Sequence, residues 1–240
     1  MTPPRLHHAG PLDAGAEIRL GSDEARYLGS VLRLRSGHEA RLFNADAGEW
    51  RCRIEALDRR GASLRPTERL RPPVASGGPR LLLAAIKRPR LEMVLEKATE
   101  LGVGRIDIVT TARAVVEPAR PDRLAAKLKE AAEQCGRLDL PALAGPVPLA
   151  EALASALKEG AVLAADERRD GRPLLDAIEA HPGAAFLVGP EGGFAPEERE
   201  GLRRTAGVVS VRLGPAVLRA ETAAMATLAG ALLARDRGTA

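Results

Sequence analysis

Two rhythms of apolar and polar positions divide the chain. Up to about residue 70, short alternating or apolar stretches (EIRL, ARLFN, WRCRIEAL, ASLRP) are separated by turn residues such as Asp46-Ala47-Gly48 and Arg60-Gly61. That is the pattern of a small β-barrel. One helix is predicted within it, around Ser22–Leu34, with Ser22 placed to cap it and Ala25, Leu28, Val31 and Leu32 on one face. LRPPVASGGPR at 70–80, with three prolines and two glycines, reads as a linker.

Beyond it the rhythm changes. Strand-like LLLAAI (81–86) leads to a helix in which Leu91, Val94, Leu95, Ala98 and Leu101 recur at helical spacing, ended by Gly102. RIDIVT (105–110) follows as a strand, then a helix opened by Pro121-Asp122 with Leu124, Leu128, Ala131 and Cys135 on a face. Strand AVLAA (161–165), a short helix near 173–180, strand AFLVG (185–189), a helix from Pro196, strand VVSVRL (208–213) and a helix from about Arg219 complete the pattern. Strands alternating with helices predict an α/β region with a mainly parallel sheet. The predicted division is a small β-barrel domain over residues 1–72 and an α/β domain over 73–240.

Composition narrows the class. With 240 residues, 45% hydrophobic and 28% charged, the chain has the make-up of a globular protein. No apolar run is long enough to span a membrane, and MTPPRLHHAG lacks the layout of a signal peptide. Cys52 and Cys135 stand alone, without CxxC spacing, and the four histidines form no i, i+4 pair. A cytoplasmic protein without a metal is expected. Residues 1–80 hold 14 Lys or Arg against 10 Asp or Glu, whereas residues 81–240 hold 22 against 22. The whole +4 excess therefore lies in the first third, and 31 of the 36 basic residues are arginine. A basic N-terminal module points to a polyanion, most simply nucleic acid.

In open α/β sheets ligands bind outside the carboxyl ends of strands. Two such ends stand out: LVGPEGGFAPEE (187–198) and GPAVLRAETA (214–223). The first lacks both the GxGxxG and the GK[ST] spacing of phosphate-binding loops. Glu191, followed by Glu197 and Glu198, would repel a triphosphate. A carboxylate among glycines suits a ligand with hydroxyl groups or a positive charge, and S-adenosylmethionine has both. On the loop alone the plainer reading stands ahead: Gly192-Gly193 make a tight turn, and the glutamates favour a helix N-terminus.

The order of several motifs changes that balance. GPEGGF, then LGPAVLRAETAAMATL, resembles the RsmE family of SPOUT methyltransferases, which modify uridine N3 in small-subunit ribosomal RNA. VLRLRSG (31–37) and LFN (42–44) resemble that family's PUA-like N-terminal domain. KRPRLEMVLEKATELGV (87–103) resembles the opening of its catalytic domain, and EAAEQCGR (130–137), with Arg113 before it, its next signature. The chain departs from the family pattern at Arg26-Tyr27, where histidines are common, and at Ala216 and Ala220, where arginine and threonine are common.

The resemblance implies an α/β trefoil-knot domain after a PUA-like RNA-binding barrel, acting as a homodimer on 16S ribosomal RNA of the small subunit. It implies S-adenosylmethionine held by Leu163, Leu187, Val188, Gly189, Gly192, Gly193, Leu213, Gly214, Val217, Leu218 and Thr222, with backbone groups of Leu187, Gly189, Gly193, Leu213 and Leu218 meeting adenine and methionine. Methylating uracil N3 requires loss of the imide proton or stabilisation of the anion on O2 and O4. Arg219 is the expected oxyanion stabiliser. Glu191 is the other candidate catalytic residue; it accepts the proton or holds the cofactor, and holding is favoured because a sulfonium makes a neighbouring carboxylate less basic. Orientation supplies roughly 7–11 kcal/mol against about 3–5 for acid–base help, so positioning should dominate.

Arg5, Arg33, Arg35, Lys87, Arg88, Arg90, Arg113 and Arg137 are the expected phosphate contacts, with Gln134 as a polar contact in the active site. With aromatics at 2%, recognition should rest on phosphates and shape more than on stacking by Tyr27, Phe43, Trp50 or Phe194. Two other readings stay open: a non-catalytic RNA-binding or ribosome-assembly factor on the same fold, and a methyltransferase for another RNA.

Overall fold

The computed structural model describes residues 3–75, 77–114, 120–165 and 170–238. Its contacts separate into two units, Met1–Ser76 with Ala132–Asp139, and Gly77–Ala131 with Leu140–Ala240. The expected linker falls at the change from one to the other; its Ser76 lies outside the described residues.

The first unit contains β1 (Arg5–His7), β2 (Ile18–Leu20), β3 (Glu39–Asn44), β4 (Gly48–Leu57) and β5 (Ala62–Arg71). They form one mixed sheet in the order β1-β3-β4-β5-β2, with β1 parallel to β3 and the other pairs antiparallel. Alternating residues Ala40, Leu42, Cys52, Ile54 and Leu64 are fully buried on its inner face. Three register shifts along β4 and β5 help to curl the sheet into a half-barrel.

The predicted helix is shorter than expected. Helix α1 covers Ser22–Arg26, and a π-helical turn over Tyr27–Val31 continues it. Gly21, not Ser22, holds the N-cap position, and no side chain caps it. Ala25 and Leu28 reach the core, but the wider turn rotates the residues after it, leaving Val31 64% exposed. Arg33 then adopts φ 57°, an uncommon left-handed conformation for a side-chain-bearing residue.

The second unit contains β6 (Arg80–Ala84), α2 (Arg88–Glu100), β7 (Arg105–Thr110), most of α3 (Pro121–Cys135), β8 (Ala142–Pro148), α4 (Leu149–Ala156), β9 (Val162–Ala165), β10 (Arg172–Pro173), α5 (Leu174–Ala180), β11 (Ala185–Val188), α6 (Pro196–Arg204), β12 (Val208–Arg212) and α7 (Ala220–Gly238). The seven strands run β10-β12-β9-β11-β6-β7-β8, and every pairing is parallel. The sheet is covered on both faces, which explains its continuous apolar strands. Leu81, Leu83, Phe186 and Val188 pack with α2, α3, α5 and α7, while Leu82, Ala84, Ala185 and Leu187 pack with α4 and α6. Each fully buried leucine contributes about 1.5–3 kcal/mol. The sequence pattern predicts neither strands β8 and β10 nor helix α4.

Parallel pairing sends all carboxyl ends to one edge. From β6 the chain builds outward through β7 and β8; on the other side of β6 stand β11, β9, β12 and β10. The reversal at β6 and β11 is the place where such sheets bind ligands.

Candidate active site

The loops that leave β6, β9, β11 and β12 converge on a cleft of about 340 Å³. Its apolar wall comes from Val188, Phe194, Leu213, Val217 and Leu218, and its charged groups are Arg90, Glu191, Arg199 and Arg219. The β11 loop is tightly built. Gly193 takes φ 67°, and its N–H donates to the Pro190 carbonyl at 2.9 Å, closing the turn. Glu198 accepts from Ala195 N–H at 2.9 Å and from Ala112 N–H at 2.8 Å, so it caps α6 and also holds the loop after β7.

The three arginines differ in state. Arg90, in the first turn of α2, donates from Nη1 to Glu191 Oε1, and its Nε lies 3.7 Å from Glu221 Oε1. Arg199 donates to the Phe194 carbonyl at 3.2 Å. Arg219 is exposed and has no ion-pair partner among the described residues. It stands immediately before α7, where its carbonyl accepts from Ala223 N–H at 2.8 Å.

Six of the expected cofactor positions line the cleft: Val188, Gly189, Gly193, Leu213, Val217 and Leu218. The other five do not. The Leu163 and Leu187 side chains are buried in the two core layers. Gly192 lies outside the lining and presents its carbonyl to Arg113 Nη1 at 3.0 Å. Gly214 adopts φ 144° beyond the lining. Thr222 is exposed because Ala220 and Ala223, three apart on α7, face the cleft and turn it away.

The expected phosphate contacts fall into separate environments. Arg33 and Arg35 are exposed on the first unit, and Lys87 is exposed before α2. Arg88 pairs with Glu92 at 2.8 Å along α2. Arg5 is a different case. Its guanidinium donates to the carbonyls of Ala132, Glu133 and Arg137 at 2.9, 2.9 and 3.0 Å, and to Glu49 at 3.3 Å. It also lies 4.1 Å from the centre of the Phe43 ring. Arg5 therefore caps the carboxyl end of α3 within the first unit, and these donors are not directed at a phosphate. Arg137 makes a fork to Asp139 at 2.6 and 2.9 Å and is similarly engaged. Gln134 is exposed in the same segment.

Residues beyond the expected set also build the cleft: Ala165, Pro190, Phe194, Arg199, Ala216, Ala220 and Ala223. Ala216 leaves Arg219 as the arginine of its loop. Buried Glu221 stands behind Arg90, and its Oε2 has no hydrogen-bond partner. Its position in AETA reads only as a helix start, and nothing in the sequence signals its pairing.

Comparison with known proteins places this geometry. A family model described as an RNA methyltransferase domain matches residues 79–232, and one described as an RNA methyltransferase PUA domain matches residues 20–67. Ribosomal RNA small subunit methyltransferase E of Rickettsia conorii is 30% identical over 229 residues, covering 94% of this chain and 93% of its own. The protein of the same name from Mycobacterium bovis is 34% identical over 232 residues, covering 90% and 86%. Among solved structures, ribosomal RNA small subunit methyltransferase E from Neisseria gonorrhoeae, bound to S-adenosylmethionine, superposes with a TM-score of 0.82 at 29% identity, covering 95% of this chain and 96% of that one. A Legionella pneumophila methyltransferase with the same bound cofactor also gives 0.82 at 29%, covering 98% of each. The PUA-like half-barrel and parallel α/β domain are thus those of SPOUT methyltransferases, and the protein belongs to the ribosomal RNA small subunit methyltransferase E family.

Proposed function

We propose that the protein transfers the methyl group of S-adenosylmethionine to N3 of a uridine in 16S ribosomal RNA of the small subunit. The observation that carries the reading is the cleft itself, which joins the Glu191 carboxylate and an apolar wall to Arg219, an arginine without an ion-pair partner among the described residues. Its residues fit the methyl donor. Val188, Phe194, Leu213 and Leu218 offer a surface for a flat base, and the Glu191 carboxylate stands in the same lining. Neither Glu191 nor Glu221 would favour a polyphosphate. When bound, S-adenosylmethionine supplies an electrophilic methyl group on a sulfonium.

The chain's own part is to hold uracil in line and to stabilise its anion. Arg219 suits the second of these roles, since it is at the cleft, cationic, and not neutralised by a carboxylate among the described residues. Its guanidinium would meet the charge that develops on O2 and O4 as N3 loses its proton. Glu191, already engaged by Arg90, takes the role of holding the loop. Exposed Arg33, Arg35 and Lys87 carry phosphate contacts in this reading. The active form is a homodimer working in the cytoplasm.

The test is incorporation of labelled methyl into unmodified small subunits by the wild type and by Arg219→Ala. Transfer by the wild type that is nearly lost in the variant supports the reading. No transfer to subunits, free ribosomal RNA or transfer RNA would favour a non-catalytic binding factor instead.

A further inference from the structure

Arg90 lies in the cleft between two carboxylates, Glu191 and Glu221. It starts from α2, behind β6; Glu191 is in the turn after β11; Glu221 opens α7. Because β6 and β11 are neighbours in the sheet, Arg90 in the cleft lining meets Glu191 beside it and the buried Glu221 at the start of α7. The two contacts leave from different edges of one planar group, Nη1 toward Glu191 and Nε toward Glu221. An ammonium cannot reproduce that fork.

Glu221 makes the arrangement hard to give up. Its side chain is 12% exposed, and Arg90 is its ion-pair partner among the described residues. If Arg90 turned away to an RNA phosphate, Glu221 would stay in a closed site without a counter-charge. A partly exposed phosphate contact returns less than the loss of a buried partner costs.

We propose that Arg90 is a positioning residue for the methyl donor, tying the Glu191 turn to the start of α7, and not a phosphate contact. The inference rests on the reading of the cleft as the S-adenosylmethionine site. Arg90 itself need touch neither the donor nor the RNA; it keeps Gly189, Gly193, Leu218 and Ala220 at one spacing.

The experiment compares wild type, Arg90→Met, Arg90→Lys and the double variant Arg90→Met/Glu221→Gln. Binding of S-adenosylmethionine is followed by calorimetry, binding of small-subunit RNA by filter retention, and stability by thermal denaturation. For Arg90→Met the donor Kd should rise about tenfold or more, while RNA affinity stays within about twofold. Arg90→Lys should fall between. The double variant should regain the melting temperature lost in Arg90→Met without regaining donor affinity, because it removes the stranded charge but not the missing tie. Should Arg90→Met not fold, Arg90→Lys decides alone, by a weaker donor Kd at unchanged RNA affinity. Loss of RNA affinity with donor affinity intact would overturn the proposal, as would donor affinity equal to wild type in every folded variant. A wild-type protein that binds no S-adenosylmethionine would instead refute the reading of the cleft.

Discussion

The Phe194 ring lies so close to Gly189 that a Cβ on the glycine would come within 2.9 Å of it. The two residues flank the turn that carries Glu191, and both line the cleft. Gly189→Ala must therefore push the ring out of place. We expect a loss of about 1–3 kcal/mol in stability and a donor affinity lowered about tenfold, measured by urea unfolding and calorimetry. Unchanged values for both would show that the ring's position has no bearing on the cleft.

Arg219→Ala separates transition-state stabilisation from binding. Removing a donor aimed at a developing oxyanion costs about 100-fold in turnover or more. S-adenosylmethionine affinity should stay within about twofold of wild type, since Arg219 is held to no part of the loop by an ion pair among the described residues. Single-turnover kinetics beside calorimetry makes the comparison, and equal losses in both would remove Arg219 from the catalytic role.

Away from the cleft, Arg80 on β6 donates to Asp107 on β7 at 2.6 Å, with side-chain exposures of 6% and 1%. Arg105 Nε also reaches Asp107, at 2.9 Å. Asp107→Ala removes the buried partner of Arg80 Nε, while Glu159 at 2.8 Å and Ser155 at 3.2 Å still hold the guanidinium, so the loss should be about 1–3 kcal/mol, read from the urea midpoint. Donor affinity of the folded fraction should not change, because the pair sits toward the amino ends of the strands, opposite the ligand edge.

The two cysteines should react at different rates. Cys135 is exposed, whereas Cys52 is buried in the half-barrel, and that burial pushes its thiol from 9.0 to about 12. One thiol should be modified by a disulfide reagent in the native protein, and the second only after unfolding. The same shift sets a sign. Above pH 9 the unfolded chain gives up a proton that the native state keeps, so this contribution is intact below pH 9. It is lost as pH rises toward about 12. Cys52→Ala should flatten that part of the stability profile.

Two kinds of strand can be read from the sequence: those buried on both faces, such as LLLAAI and AFLVG, where nothing polar interrupts the run, and the alternating strands of the half-barrel, such as ARLFN and WRCRIEAL. Strand β8 is hidden because Gly145-Pro146 and Pro148 break its pattern, and its place at the sheet edge permits them. Both cleft loops are legible, since glycines and charges gather where strands end. The partners inside the cleft are not. Arg90 lies 101 positions from Glu191, and only the strand order sets β6 beside β11. Arg5 reads as a basic surface residue for the same reason: its carbonyl partners are 127 to 132 positions away. Ser22–Leu34 fails differently, because a π turn leaves no mark in a periodicity of 3.6.

The most direct test of the central claim is nucleoside mass spectrometry of small-subunit ribosomal RNA after reaction with this protein and S-adenosylmethionine. The account predicts a new 3-methyluridine, absent when Arg219→Ala replaces the wild type. A methyl group on a ribose or on another base would contradict the assignment of N3, and with it the role given to Arg219.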